Sequence, residues 1–132
     1  MTGPALAPRP AATLILLRAG AGGLETLMLQ RTQSAVFLGG AYVFPGGALD
    51  ASDAAARRVL GLTQTQANQR LGLTGGALAY YVAAVRECFE EAGVLLACDA
   101  NGYPVPPARA EKLMAERHAP FLELLEREDL YV

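Results

Sequence analysis

The chain has no tryptophan, one histidine (His118), one lysine (Lys112) and two cysteines, Cys88 and Cys98. Each shortage removes a class of function. With a single lysine, no arginine stripe and a formal net charge of −2 at pH 7, the chain lacks the electrostatic footprint of a phosphate-backbone binder, so no nucleic-acid partner is expected. The two cysteines lack metal-ligand spacing and read as inert core thiols in a reducing compartment, which makes a cytoplasmic location the expectation. His118 stands alone in a charged segment and is given no catalytic role. Long apolar runs are missing too. The run over residues 11–17 is cut off by Arg18 and is too short to span a bilayer, so no membrane partner is expected. The opening ten residues are rich in proline and alanine without a basic start, and Pro4, Pro8 and Pro10 oppose an amphipathic targeting helix.

What remains is a chain of 132 residues, 52% hydrophobic and 18% charged. That composition suits one globular domain, which at this length buries roughly two-thirds of its unfolded surface. Residues 1–10 read as a flexible arm and residues 11–132 as the domain. Segments 12–18 and 24–31 are rich in strand formers and flank Ala19-Gly20-Ala21-Gly22-Gly23, a hairpin signal. A short strand over 41–44 runs into Pro45-Gly46-Gly47, where paired glycines permit a tight turn and close backbone approach to a ligand. Residues 54–60 predict one or two helical turns. Residues 63–71 predict a short helix, with Thr63 as N-cap and Gln66 completing a capping box. After a break at 72–76 a long helix is expected over 77–92, then a strand over 94–98 and a turn over 99–102. Prolines 104, 106 and 107 precede a helix over 108–118, Pro120 interrupts it, and 121–128 is helical again. Leu130-Tyr131-Val132 reads as the start of a strand. There is no internal repeat.

The chemistry concentrates at the end of the long helix. Tyr81, Val82, Val85, Cys88 and Phe89 recur at helical spacing, and Gly93 sits where a left-handed C-terminal cap belongs. Glu87, Glu90 and Glu91 are related by i, i+3 and i+4, so their carboxylates share one face. Like charges at these spacings cost a few tenths of a kcal/mol per pair, and the negative end of the helix dipole adds to that cost. A hard divalent cation with oxygen ligands reverses its sign. A solvated acidic face is the ordinary meaning of a charge run. However, an arginine, three glutamates and a glycine at five fixed positions arise by chance on the order of once in ten thousand chains of this length, taking roughly 5–7% usage per residue type. The pattern therefore points to a metal site.

The nine residues Arg86-Glu87-Cys88-Phe89-Glu90-Glu91-Ala92-Gly93-Val94 resemble the second half of the Nudix box. That signature runs glycine, five residues, glutamate, seven residues, then Arg-Glu-apolar-any-Glu-Glu-any-Gly-apolar. Phe44-Pro45-Gly46-Gly47-Ala48-Leu49-Asp50-Ala51-Ser52-Asp53 resembles the first half, with Gly47 as its glycine and Asp53 in the place of the glutamate. Thirty-two residues separate Asp53 from Arg86. The resemblance therefore implies a helical insertion of about twenty-five residues at about 54–76, similar to the interruption in coenzyme A diphosphatase-like Nudix proteins.

The resemblance implies an α/β (α+β) architecture, a Nudix-type α/β/α sandwich with a mixed sheet. It implies hydrolysis of a nucleoside diphosphate linked to another moiety, coenzyme A or a related dinucleotide among the candidates, by water attack on phosphorus with Mg2+ or Mn2+ as cofactor. Metal binding falls to Glu87, Glu90, Glu91 and the backbone carbonyl of Gly46. Glu87, Glu90 and Arg86 are the catalytic candidates, Glu87 as general base and Arg86 as the group that orients the carboxylates by pairing with either Asp50 or Asp53. Arg31, Gly46 and Gly47 are the substrate-binding candidates. Arg31, Gly40 and Phe44-Pro45-Gly46-Gly47 fit a motif that precedes the box in coenzyme A diphosphatases, but Val36 stands where that motif has a second arginine. The rival readings are a catalytically silent nucleotide-binding or regulatory module and an inactive fragment. Because residues 94–132 read mostly as helix, the sheet is expected to be incomplete at its C-terminal side, as in the N-terminal part of a longer protein; a domain completed by a second copy, a homodimer, is the alternative.

Overall fold

Six short strands and five helices make up residues 6–132, the part of the chain that the computed structural model describes. In chain order they are β1 (Ala11–Thr13), β2 (Leu17–Gly20), β3 (Gly23–Thr26), β4 (Leu29–Gln30), β5 (Tyr42–Val43), β6 (Gly46–Ala48), α1 (Ala51–Ala55), α2 (Gln64–Leu71), α3 (Ala77–Ala92), α4 (Pro107–Met114) and α5 (Phe121–Arg127). Residues 1–5 of the expected arm lie outside the described residues, and residues 6–10 are exposed without regular structure. The class is α+β. The strands pair as three antiparallel two-stranded ladders, β1 with β6, β2 with β3 and β4 with β5, and no parallel pair forms among the described residues.

Local chemistry explains most boundaries. Thr63 caps α2 as its sequence predicts, its hydroxyl accepting from Gln66 N while Gln66 reaches back to Thr63 N. Helix α3 covers the expected span and stops at Gly93, whose φ of 70° is the left-handed cap conformation. Pro107 occupies the first turn of α4, where its missing N–H costs nothing.

Four expectations need correction. Residues 46–48 form a strand rather than a simple turn, because Thr13, Ala12 and Ala11 of β1 face Gly46, Gly47 and Ala48 in register. The expected strand over 12–18 is broken at residues 14–16, between β1 and β2. Residues 94–97 form no strand; their aliphatic side chains are half-buried, and regular bridging begins only at Cys98, which pairs with Pro104 and with Tyr131. Helix α1 also starts three residues before its expected place, because Asp50 caps it.

The core lies between α3 and the C-terminal helices. Phe89, Leu113, Phe121, Leu124, Leu125 and Leu130 are almost wholly buried together, and the rings of Phe89 and Phe121 meet at 5.9 Å with a tilt of 44°. Phe121, Leu124 and Leu125 share one face of α5, so the helix docks by a single stripe. Helix α2 packs against α3, and Ala67 of α2 and Ala77, Ala79, Val82 and Ala83 of α3 are buried as well. Helix α3 thus packs against α1, α2 and the β1–β6 ladder, with Arg86 and Glu91 of its C-terminal half bonded to β6.

Phe89→Ala removes the ring at the centre of this core and is expected to cost about 3–5 kcal/mol in urea unfolding. A loss below about 1 kcal/mol would contradict the packing described.

Candidate active site

The two halves of the interrupted pattern meet in space. Across 45 residues of chain, Gly46 N donates to Glu91 Oε2 at 3.1 Å. Gly47 lies so close to Glu87 that a Cβ added there would stand 2.5 Å from its Oε1. The missing side chain at Gly47 leaves room for the Glu87 carboxylate, and that at Gly46 leaves room for the backbone of β1.

Arg86 is the hub. Its Nε and Nη2 donate to Asp53 Oδ1 and Oδ2 at 2.8 and 3.0 Å, a bidentate fork across the insertion. Nη2 also donates to the carbonyl of Ala48 in β6 at 3.1 Å. The remaining nitrogen, Nη1, donates to Glu87 Oε1 and Glu90 Oε2, each at 3.0 Å. Asp53 is the box acid that pairs with Arg86. Asp50 instead caps α1, accepting from Ser52 N at 2.8 Å, and that hydrogen bond holds its carboxyl below the usual range. Asp53 also accepts from Asp50 N at 2.7 Å, so one aspartate closes the capping box of α1 and grips α3. The Asp53 side chain is fully buried and that of Arg86 is 10% exposed. Hydrogen bonding to Asp53 raises the guanidinium pKa further, so Arg86 is permanently charged.

The charge balance is uneven. Four carboxylates, Asp53, Glu87, Glu90 and Glu91, converge on this turn of α3, and Arg86 is the one cation bonded to them among the described residues. Burial raises the pKa of Glu90, partly offset by Arg86. Cys88 lies buried behind this face, and burial pushes its thiol up, as expected of an inert core thiol.

Each helix glutamate commits one oxygen to the protein: Glu87 Oε1 and Glu90 Oε2 to Arg86, and Glu91 Oε2 to Gly46 N. The second oxygen of each accepts no hydrogen bond from the described residues. Such hard oxygen donors suit magnesium or manganese. Among the described residues no three acidic, histidine or cysteine side chains are gathered as tightly as a metal site requires. The carboxylates are splayed between Arg86 and Gly46, so binding an ion requires them to turn inward by side-chain rotation. Beside Glu90 a cleft of about 330 Å³ is lined by Asp50, Ser52, Arg86, Glu90 and the start of α5 from Pro120 to Glu123.

Arg31 stands apart. It is exposed beyond β4, and its backbone bonds to Gly40 and Ala41 close the loop between β4 and β5; its guanidinium makes no hydrogen bond to the described residues. The contribution of Ala48 through its carbonyl was not foreseen, and no side-chain pattern signals it.

No protein-family model matches the chain. The chain is similar to a protein named acyl-coenzyme A diphosphatase NUDT19 from Gallus gallus, at 33% identity over an alignment covering 86% of this chain and 39% of that protein. It is similar to the protein of the same name from Homo sapiens, at 34% identity over 65% of this chain and 30% of that protein. The chain thus spans well under half the length of these relatives. Among solved structures it is similar to a Nudix hydrolase from Alicyclobacillus acidocaldarius, with a TM-score of 0.67 and 29% identity over 97% of this chain and 58% of that one.

The two glycines separate stability from site geometry. At Gly46 an added Cβ would run into the backbone of Ala12 and Thr13, so Gly46→Ala is expected to loosen the β1–β6 ladder and lower the melting temperature by several degrees. At Gly47 the obstacle is the mobile end of Glu87, so Gly47→Ala is expected to melt within about 2 °C of the parent while displacing that carboxylate. Equal thermal effects of the two variants would contradict this geometry. Arg86→Met leaves Asp53 buried without its partner and is expected to cost about 3–5 kcal/mol.

Proposed function

The chain belongs to the Nudix superfamily, and on that premise we propose that its protein hydrolyses a nucleoside diphosphate linked to another moiety, with the α3 carboxylates holding the divalent cation. The observation that carries this reading is the excess of negative charge at the Gly46–Gly47 strand. Three glutamates each keep an oxygen without a donor among the described residues, and the one guanidinium there serves Glu87 and Glu90 while Glu91 has only the Gly46 N–H.

Glu87, Glu90 and Glu91, with the backbone carbonyl of Gly46, would hold magnesium or manganese, which supplies charge neutralisation for the diphosphate and a lowered pKa for bound water. The chain's own groups do the positioning. Asp53 fixes the Arg86 fork, and Arg86 in turn limits the rotamers of Glu87 and Glu90. Glu87 is the proposed general base, because it lies against Gly47, where the backbone without a side chain lets a phosphate approach. Arg31 is assigned the outer part of the substrate, since a strand-end guanidinium without a protein partner is suited to phosphate. The similarity to proteins named acyl-coenzyme A diphosphatases makes coenzyme A and its acyl thioesters the first substrates to test.

Calorimetric titration with magnesium is expected to show binding that is lost in the double variant Glu90→Gln/Glu91→Gln; equal binding by that variant would remove the metal assignment. With magnesium present, a panel of coenzyme A, an acyl-coenzyme A, ADP-ribose, NADH and dinucleoside polyphosphates is expected to give two phosphorylated products from at least one member. Glu87→Gln should lower kcat by about 10²–10⁴-fold with little change in KM. Magnesium binding without turnover of any member would favour a nucleotide-binding module instead.

A further inference from the structure

We propose that Gln64 and Asn68, both inside the insertion, are positioning residues for the α3 carboxylates. They cap the N-terminus of α3 and so fix where Glu87, Glu90 and Glu91 stand against the Gly46–Gly47 strand. The proposal rests on the reading of that face as a metal site.

Helix α3 begins without a cap of its own. Its N-cap residue is Gly76, with φ 72° and ψ 5°, which has no side chain to offer the first turn. The leading N–H groups of a helix have no partner within it, and Ala77 is wholly buried, so water does not replace the missing acceptor. The insertion supplies one. Asn68 Oδ1 lies 3.1 Å from Ala77 N, and the amides of Gln64 and Asn68 meet at 2.8 Å across one turn of α2. With the Gln64 oxygen turned inward, it accepts from Ala77 N at 2.9 Å, Leu78 N at 3.2 Å and Gly76 N at 3.3 Å. In that arrangement the Asn68 amide is reversed as well, so that its Nδ2 rather than its Oδ1 faces Gln64 and donates to it. Either way the pair presents an oxygen to Ala77 N–H, and the second arrangement serves three donors rather than one. Asn68 also accepts through its backbone carbonyl from Gly72 N and Leu73 N. One residue therefore ties the end of α2, the chain reversal and the start of α3.

The consequence follows from the length of the interruption. Thirty-two residues separate Asp53 from Arg86, so the chain itself does not set the position of α3 along its axis. Non-covalent contacts must do so. The Asp53–Arg86 fork holds the carboxylate end, and the amide pair holds the other, about 15 Å away by helix rise. A helix clamped at both ends neither slides nor frays, and the three glutamates keep their register with the glycines.

The test compares the parent protein with Gln64→Leu/Asn68→Leu and with Gln64→Glu/Asn68→Leu. The carboxylate variant restores an acceptor that is well suited to a helix N-terminus. Three quantities are read: amide hydrogen exchange at Ala77–Ala79, Mn2+ affinity by electron paramagnetic resonance, and turnover of the best substrate. The leucine pair is expected to speed exchange at least tenfold and to weaken Mn2+ about fivefold, the factor a lost cap corresponds to, with turnover falling alongside. The carboxylate variant is expected to recover most of each loss. Unchanged exchange in the leucine pair would show that the amides are no cap. Faster exchange with unchanged Mn2+ affinity would show a cap that positions nothing. Absence of Mn2+ binding in the parent protein would remove the metal reading and this proposal's link to it, while the exchange data still report the cap on their own.

Discussion

One guanidinium joins the two halves of this structure. Arg86 spends two nitrogens on Asp53, shares one of these with the carbonyl of Ala48, and turns the third to Glu87 and Glu90. Burying an arginine and an aspartate is costly, and the attraction between them repays that cost only when the geometry is good and the remaining donors are used. Here every nitrogen of the fork has a partner, and no buried side-chain polar atom among the described residues lacks one. Lysine at this position would keep the charge and lose the fork. The rest follows from that contact: α1 is anchored to α3, β6 is drawn beside the helix, and Glu87 and Glu90 are held near the Gly46–Gly47 strand.

The same contact explains how Asp53 and Arg86 stay together across the thirty-two residues between them. Lengthening a loop raises its closure entropy only slowly, but it removes the chain's control over the placement of the helix that follows. Side chains replace that control. The fork acts at one end of α3, the packing of α2 against it along its length, and the amides of Gln64 and Asn68 at its start. The core around Phe89 and Phe121 then holds the helix from behind.

What was legible in the sequence was what depends on local chemistry. The span of α3 could be read because apolar periodicity and a glycine cap agree, and α2 because Thr63 and Gln66 form a box of their own. The aspartate that meets Arg86 could not be read, since Asp50 and Asp53 differ only in the direction that α1 gives them. Residues 94–97 have strand composition, but composition does not say whether a ladder partner lies beside them, and among the described residues only Ala97 has one, its carbonyl accepting from Val105 N. The glycines at 46 and 47 suggested a turn because strands disfavour glycine; they lie in a strand because β1 pairs with them, and an added Cβ would meet the β1 backbone at Gly46 and the Glu87 carboxylate at Gly47. Nothing in the sequence marks Gln64 and Asn68, and their contact with the start of α3 becomes visible only beside the bare cap at Gly76.

The central claim is that the carboxylates of α3 and the Gly46–Gly47 strand form one divalent-cation site. Anomalous diffraction from crystals soaked in Mn2+ tests it most directly. The account predicts a peak within coordination distance, about 2–2.5 Å, of oxygens from at least two of Glu87, Glu90 and Glu91. A soaked crystal with manganese bound only elsewhere, or with those glutamates still turned to Arg86 and Gly46 and no peak between them, would contradict it.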